Sequence, residues 1–422
     1  MKRRSVLLAT STMGIAGCME SPTNDSTTES PNNDSTTENT GFDNPTWRYE
    51  IPGDDLTVSE GTLYGFESYP HNDRKKEKLR EETDISGRVF SLNLENGERK
   101  WAHGSTAYQH EGNSNLTIED AIYYQTNNDV TSWVSAIEFD GTERWAGSEG
   151  HSTLEGSLTH VAEGAAYVQN VTDIKVIDAS EGDLLCSGVG YIYFDTAAKD
   201  TFEMVYVRRQ EGSDEVVVAL DADDGSVQWR YGQVDDYRVH DVFDGVVYAT
   251  DDGTVIAITD GEERWRVDLS KPSGSLDILE FSSNSVFMKD DTYLYAVDIS
   301  KRDIQWKQEM RSPRRRGDLR IYGDRIYVGR YGEQEVSAFG LEEGTELWDT
   351  DIGSDVESWK VVGEGTVGSE ESLFVRTEKE LHQVGSDGEV AQTWTPNEVI
   401  HGFAVDEFII ISTDSGIYAL EP

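Results

Sequence analysis

Short apolar stretches of strand length recur along residues 45–422, and most end alike: an apolar pair, an Asp-bearing turn, a Gly and then a Trp. The cleanest copy reads Val218-Ala219-Leu220-Asp221-Ala222-Asp223-Asp224-Gly225-Ser226-Val227-Gln228-Trp229. Further copies run Val89 to Trp101, Val134 to Trp145, Ile174 to Cys186, Val255 to Trp265, Leu294 to Trp306, Val336 to Trp348 and Leu381 to Trp394. Upstream of each lies another β-branched and aromatic stretch, such as Gly245-Val246-Val247-Tyr248-Ala249 or Asp324-Arg325-Ile326-Tyr327-Val328. None continues long enough for a packed helix. Asp-Gly pairs such as Asp252-Gly253 are turn chemistry, because Gly tolerates positive φ and Asp bonds its own backbone. The pattern predicts an all-β chain.

The Trp positions, with Cys186 filling one slot, fall about 36 to 46 residues apart, the length of a four-stranded blade. A ninth copy, Ile417-Tyr418-Ala419-Leu420, stops before its Trp, and Thr46-Trp47-Arg48-Tyr49 matches the missing end. Pairing these two segments would close a ring of antiparallel blades and leave no open edge between the chain ends. The Ala-Leu-Asp-x-x-x-Gly-x-x-x-Trp signature resembles the pyrroloquinoline-quinone-type (PQQ-like) repeat of β-propellers over residues 45–422. That resemblance implies eight blades, whereas the motif count gives nine.

Residues 1–17 read as an export signal. Arg3 and Arg4, within Lys2-Arg3-Arg4-Ser5-Val6-Leu7, resemble a twin-arginine signal, and Ile15-Ala16-Gly17-Cys18 resembles a lipobox. Cys18 is then the lipidated new N-terminus, anchoring the chain on the outer face of the cytoplasmic membrane. Residues 18–44 form a Ser/Thr/Asn/Asp-rich tether with a near-duplicated segment and no Lys or Arg, too polar to fold. Asn24, Asn33, Asn115 and Asn170 sit in N-glycosylation sequons.

Acidic residues outnumber basic ones 81 to 36, a net charge of −45. The excess runs through the repeats rather than one tail, and molar salt would screen it to about 3 Å. With the export signal, the chain resembles a haloarchaeal surface lipoprotein. Nucleic acid is disfavoured as a partner, since no general basic face is present. The two cysteines leave Cys186 unpaired once Cys18 is lipidated.

The repeat's resemblance implies one enzymatic alternative, a quinone- or metal-dependent cell-surface oxidoreductase. The chain lacks the adjacent-cysteine pair that covers the quinone in alcohol-oxidising members, and no matching Ca²⁺ or catalytic Asp motif is present. No cofactor is expected, and no catalytic residue is assigned. Two clusters stand out nevertheless. His160, His240 and His401 each precede the aromatic of the following strand (Tyr167, Tyr248, Phe408) by seven or eight residues, a register that predicts channel-facing positions and weak metal candidates. Arg311, Arg314, Arg315, Arg316 and Arg320 form a basic island after Trp306, suited to an anionic partner or lipid headgroup. Its bland counterpart is a loop neutralised by the chain's own acids. A second basic island, His71 to Glu82, reads as a solvated insertion in the first blade. The sequence reading is thus a monomeric, lipid-anchored propeller that binds or scaffolds protein partners at the cell surface.

Overall fold

Strands in a propeller are covered on both faces by neighbouring sheets, so inner strands read as apolar runs while rim strands alternate. Both patterns are present: Thr254–Thr259 (TVIAIT) is buried at its four central positions, whereas Asp303–Glu309 (DIQWKQE) alternates exposed and half-buried. The computed structural model describes residues 42, 45–67, 88–104, 116–127, 132–148, 152–162, 164–170, 173–193, 204–211, 214–221, 226–232, 238–251, 253–269, 272, 276–282, 284–310, 317–330, 332–363 and 371–421. Arg3, Arg4, Cys18, Asn24, Asn33, Asn115, Arg311, Arg314, Arg315, Arg316 and the island from His71 to Glu82 lie outside them.

Among the described residues the strands form nine four-stranded sheets, all within the compact unit Asn39–Pro422. Blades 1 to 8 are sequential antiparallel meanders covering 53–104, 116–145, 157–189, 191–231, 238–268, 277–309, 317–351 and 358–394. The ninth joins the chain's two ends: Ile400–Val405, Ile409–Thr413 and Gly416–Leu420 are completed by Trp47–Tyr49. Trp47 opposes Ala419 and Tyr49 opposes Ile417, the pairing expected from the sequence. The protein is therefore a nine-bladed β-propeller, as the motif count gives, rather than the eight-bladed one that the resemblance implies.

The signature has a packing cause. In blades 1 to 8 the third and fourth strands slip register beside the Trp slot, as between Ala136 and Ile137 or Ala338 and Phe339. Such a bulge re-aims one side chain. The residue opposite the Trp is small: Ser91, Ala136, Ala219, Ala257, Ala296, Ala338 and, for Trp47, Ala419. Four of these indoles lean onto the next blade and donate the N–H to a carbonyl just beyond that blade's third strand. Trp101 bonds Phe139 O at 2.8 Å, Trp145 bonds Ala179 O at 2.9 Å, Trp306 bonds Leu341 O at 3.1 Å and Trp348 bonds Ser386 O at 2.9 Å. The motif Gly of the receiving blade lies under the ring. A Cβ on Gly141 would stand 2.6 Å from Trp101, and one on Gly388 would stand 2.6 Å from Trp348. Gly in the signature is a seat for the neighbour's Trp.

Trp47 does the same between blades 9 and 1. Its Nε1 donates to Leu94 O at 2.7 Å, and it is buried with Ile417, Ala419, Leu63, Phe90 and Leu92. Gly53 N also donates to Ser412 Oγ across the two sheets at 2.9 Å. First and last blades are packed as the others are.

Two slots depart from the pattern. Cys186 opposes Val176, the Trp register position of blade 3. In blade 8 the slot is filled by Gln392, opposite Gln383, and Trp394 lies two residues on, opposite Leu381. The sequence reading placed Trp394 in the slot, and the register corrects it. Blade 9 explains the exception. Its third and fourth strands come from opposite ends of the chain, so no turn joins them to receive an indole from blade 8. Trp394 instead packs against Phe374, Leu381, Phe403 and Leu420.

Candidate functional site: the central cavity

The first strands of neighbouring blades approach one another, which makes them the innermost strands. They enclose a cavity of about 940 Å³ lined from six consecutive blades, 7, 8, 9, 1, 2 and 3. This volume lies in the range of small-molecule pockets.

The two halves of its wall differ. Blades 1, 2 and 3 each present one Leu-Thr pair from the first strand: Leu56-Thr57, Leu116-Thr117 and Leu158-Thr159. Thr159 Oγ1 donates to Tyr167 O at 2.9 Å, keeping its lone pairs available. Asp55, beside the first pair, is held at φ 50 where the strand bulges between Asp54 and Thr57. Positive φ at a non-glycine is strained backbone, here at the cavity wall.

Blades 7, 8 and 9 contribute the cations: Arg320, Lys360, Arg376 and His401. Arg376 is committed to structure. Its side chain is 14% exposed and pairs with Glu357 at 2.7 Å. It also donates to Ser358 Oγ at 2.9 Å and Ile400 O at 2.5 Å. Burial pulls its guanidinium below the usual value, and Glu357 and Asp54 oppose that pull. His401 Nε2 lies 2.8 Å from Asp414 Oδ1. Arg320 and Lys360 differ: both are exposed, and neither has a carboxylate at ion-pair distance among the described residues. Arg320 donates to the Leu319 carbonyl at 2.9 Å, and its field is felt by half-buried Glu280. Tyr322 and Trp359, also on the wall, flank these cations in sequence.

The three histidines all lie on first strands, Ser157–Ala162, Arg238–Phe243 and Ile400–Val405. Only His401 is part of the cavity wall. His240 Nε2 is 2.7 Å from Thr250 Oγ1 on its own blade. His160 is half-buried, and burial lowers its pKa, favouring neutral imidazole. Among the described residues no group of three or more His, Cys, Asp or Glu side chains is placed to hold a metal ion. Asn170 ends the strand Ala165–Asn170 and is half-buried. Of the basic island, Arg320 alone is described, and it belongs to this cavity. Sequence reasoning missed Lys360, Arg376 and the Leu-Thr pairs; the pairs were detectable, since they recur at the start of three successive repeats.

The fold defines the class of protein: a β-propeller built on a Trp-staple repeat. Residues 213–422 match the family model described as "Outer membrane protein assembly factor BamB", and the chain is a PQQ-like repeat β-propeller. Solved structures are similar in fold only. BamB from Moraxella catarrhalis is 14% identical, with a TM-score of 0.49 over 75% of this chain and 98% of that one. A crystal structure titled as the eukaryotic initiation factor is 10% identical, with a TM-score of 0.55 over 83% and 89%. The computationally designed Ika8 protein is 12% identical, with a TM-score of 0.47 over 90% and 99%. No curated protein matches the chain.

Proposed function

We propose that this propeller is an exported, lipid-anchored binding or scaffolding module for protein partners at the cell surface, held to the outer face of the cytoplasmic membrane through Cys18. The observation that carries this reading is the match of residues 213–422 to a family model described as an assembly factor. The tandem of Arg3-Arg4 and the Ile15-Ala16-Gly17-Cys18 lipobox supports export and anchoring. The acidic surface, net −45, supports a high-salt setting. Propeller folds host unrelated functions, so the partner must come from the site rather than the fold.

Cross-linking on intact cells of an exporting host, followed by capture of the full chain in detergent, tests the reading. It predicts a recurrent protein partner, and release of the Cys18→Ser chain from the membrane fraction into the medium. Native mass spectrometry and an absorbance spectrum of the same preparation test the alternative class. A stoichiometric quinone mass with its visible band, or a retained transition metal, would overturn the scaffold reading in favour of an oxidoreductase. A bare polypeptide mass would leave partner capture as the deciding result.

A further inference from the structure

The cavity carries an inference independent of the scaffold reading. In a chain with 81 acidic and 36 basic residues, carboxylates are abundant enough to pair with every cation. Other described cations near this wall follow that expectation: Arg376 pairs with Glu357 at 2.7 Å and His401 with Asp414 at 2.8 Å. Arg320 and Lys360, on adjacent blades, have no such partner among the described residues, and both line the cavity. Opposite them stand three Leu-Thr pairs, each offering a hydroxyl beside a short apolar patch.

We propose that the central cavity binds a small hydroxylated organic carboxylate, of the hydroxy-acid or acidic-sugar class, with its carboxylate on Arg320 and Lys360. Two cations from neighbouring strands suit one carboxylate, because charge-assisted hydrogen bonds are the strong ones and a guanidinium bonds carboxylate in a fork. Thr57 and Thr117 supply hydroxyls that both donate and accept, and Thr159, its proton held by Tyr167 O, supplies lone pairs that accept; a polyol can match these and a plain fatty or aromatic acid cannot. Tyr322 and Trp359, which also line the wall, add apolar surface beside the cations. The volume, about 940 Å³, accommodates such molecules with ordered water.

Titration calorimetry on the full chain in detergent, at one fixed molar salt concentration, tests this with three probes: glucuronate, acetate and glucose. Glucuronate is expected to bind saturably, at least about tenfold tighter than acetate, which lacks the hydroxyls, and glucose, which lacks the charge. Arg320→Gln and Lys360→Gln are each expected to weaken glucuronate about tenfold. Arg266→Gln, which removes an exposed arginine paired with Glu263 on the rim of blade 5, is expected to leave it unchanged. Lys360→Arg keeps the charge and should keep binding, separating loss of the site from loss of the fold. Glycerate in place of glucuronate distinguishes a hydroxy acid from a sugar acid within the class. Equal affinity for acetate would overturn the role of the threonine arc. No saturable glucuronate binding, or binding indifferent to both Gln variants, would overturn the site.

Discussion

Adding one methyl group at Gly97 should damage the joint between the last and first blades. Gly97 has φ 68, and a Cβ there would stand 2.5 Å from Trp47 Cε3 and 2.7 Å from Cδ2, inside the ring rather than against a flexible side-chain end. Gly97→Ala therefore incurs left-handed backbone strain of about 1–2 kcal/mol and an overpacking cost of about 1–3 kcal/mol, together about 2–5 kcal/mol. Gly61 provides the internal control. It has nearly the same φ, 69, with nothing within 4 Å of the added Cβ, so Gly61→Ala should cost only the strain, about 1–2 kcal/mol. Trp47→Ala removes a buried indole and its bond to Leu94 O, at about 3–5 kcal/mol. In the Trp47→Ala background the added Gly97→Ala change should fall to the Gly61 value, because nothing remains to clash. Guanidinium unfolding at constant salt, followed by tryptophan emission and far-ultraviolet circular dichroism together, reads the four variants. Equal costs at Gly97 and Gly61, or a Gly97 cost that persists without Trp47, would refute the seat argument.

Other consequences are open to the same equipment. Gln392→Trp should leave the unfolding midpoint within about 0.5 kcal/mol of the parent, since blade 9 offers no turn to receive the indole, whereas Trp348→Ala should cost about 3–5 kcal/mol; a clear gain from Gln392→Trp would show that a seat exists. Burial and the neighbouring Glu67 push the Tyr49 hydroxyl up to about 12, and burial pushes Tyr124 up to about 12. The folded state therefore holds protons that the unfolded chain releases from about pH 10, so stability should fall between pH 10 and about 12. Tyr49→Phe and Tyr124→Phe should each flatten that alkaline decline, and an unchanged slope would sink the assignment. Dilution from molar salt to about 0.01 M lengthens screening from about 3 to about 30 Å, so the melting temperature should fall in a chain of net charge −45; a salt-independent melt would show that self-repulsion is not limiting.

Much of the fold was legible because each repeat states its own packing rule. The Ala before the Asp turn, the Gly and the Trp are three parts of one joint between blades, so a local string encoded a long-range contact. Even the split blade could be read, because Trp47-Arg48-Tyr49 carries the same ending as Trp229-Arg230-Tyr231. Trp394 misled for a related reason: a Trp near the expected place looks right in sequence, and only strand register shows Gln392 in the slot. The cavity was less legible. Its residues come from six blades spread over positions 55 to 403, and no local pattern says that Arg320 and Lys360 face one space. The histidine register did find first strands, but blade 5, which carries His240, contributes nothing to the cavity and blade 3 reaches it through Leu158 and Thr159, so His401 alone is on its wall.

The mixed origin of blade 9 also bears on the order of events during synthesis. Trp47 to Tyr49 is made well before its partner strand; Arg48 and the Ser415 carbonyl that it bonds are 367 residues apart. Until then the first strand has no neighbour, its indole has no small residue behind it, and one sheet edge stays open to foreign pairing. Pairing over so long a separation is slow, since the whole intervening chain must already be ordered to bring the ends together. A chain stopped before residue 416 would therefore leave the edge of Trp47 to Tyr49 unpaired, a surface that the completed blade conceals.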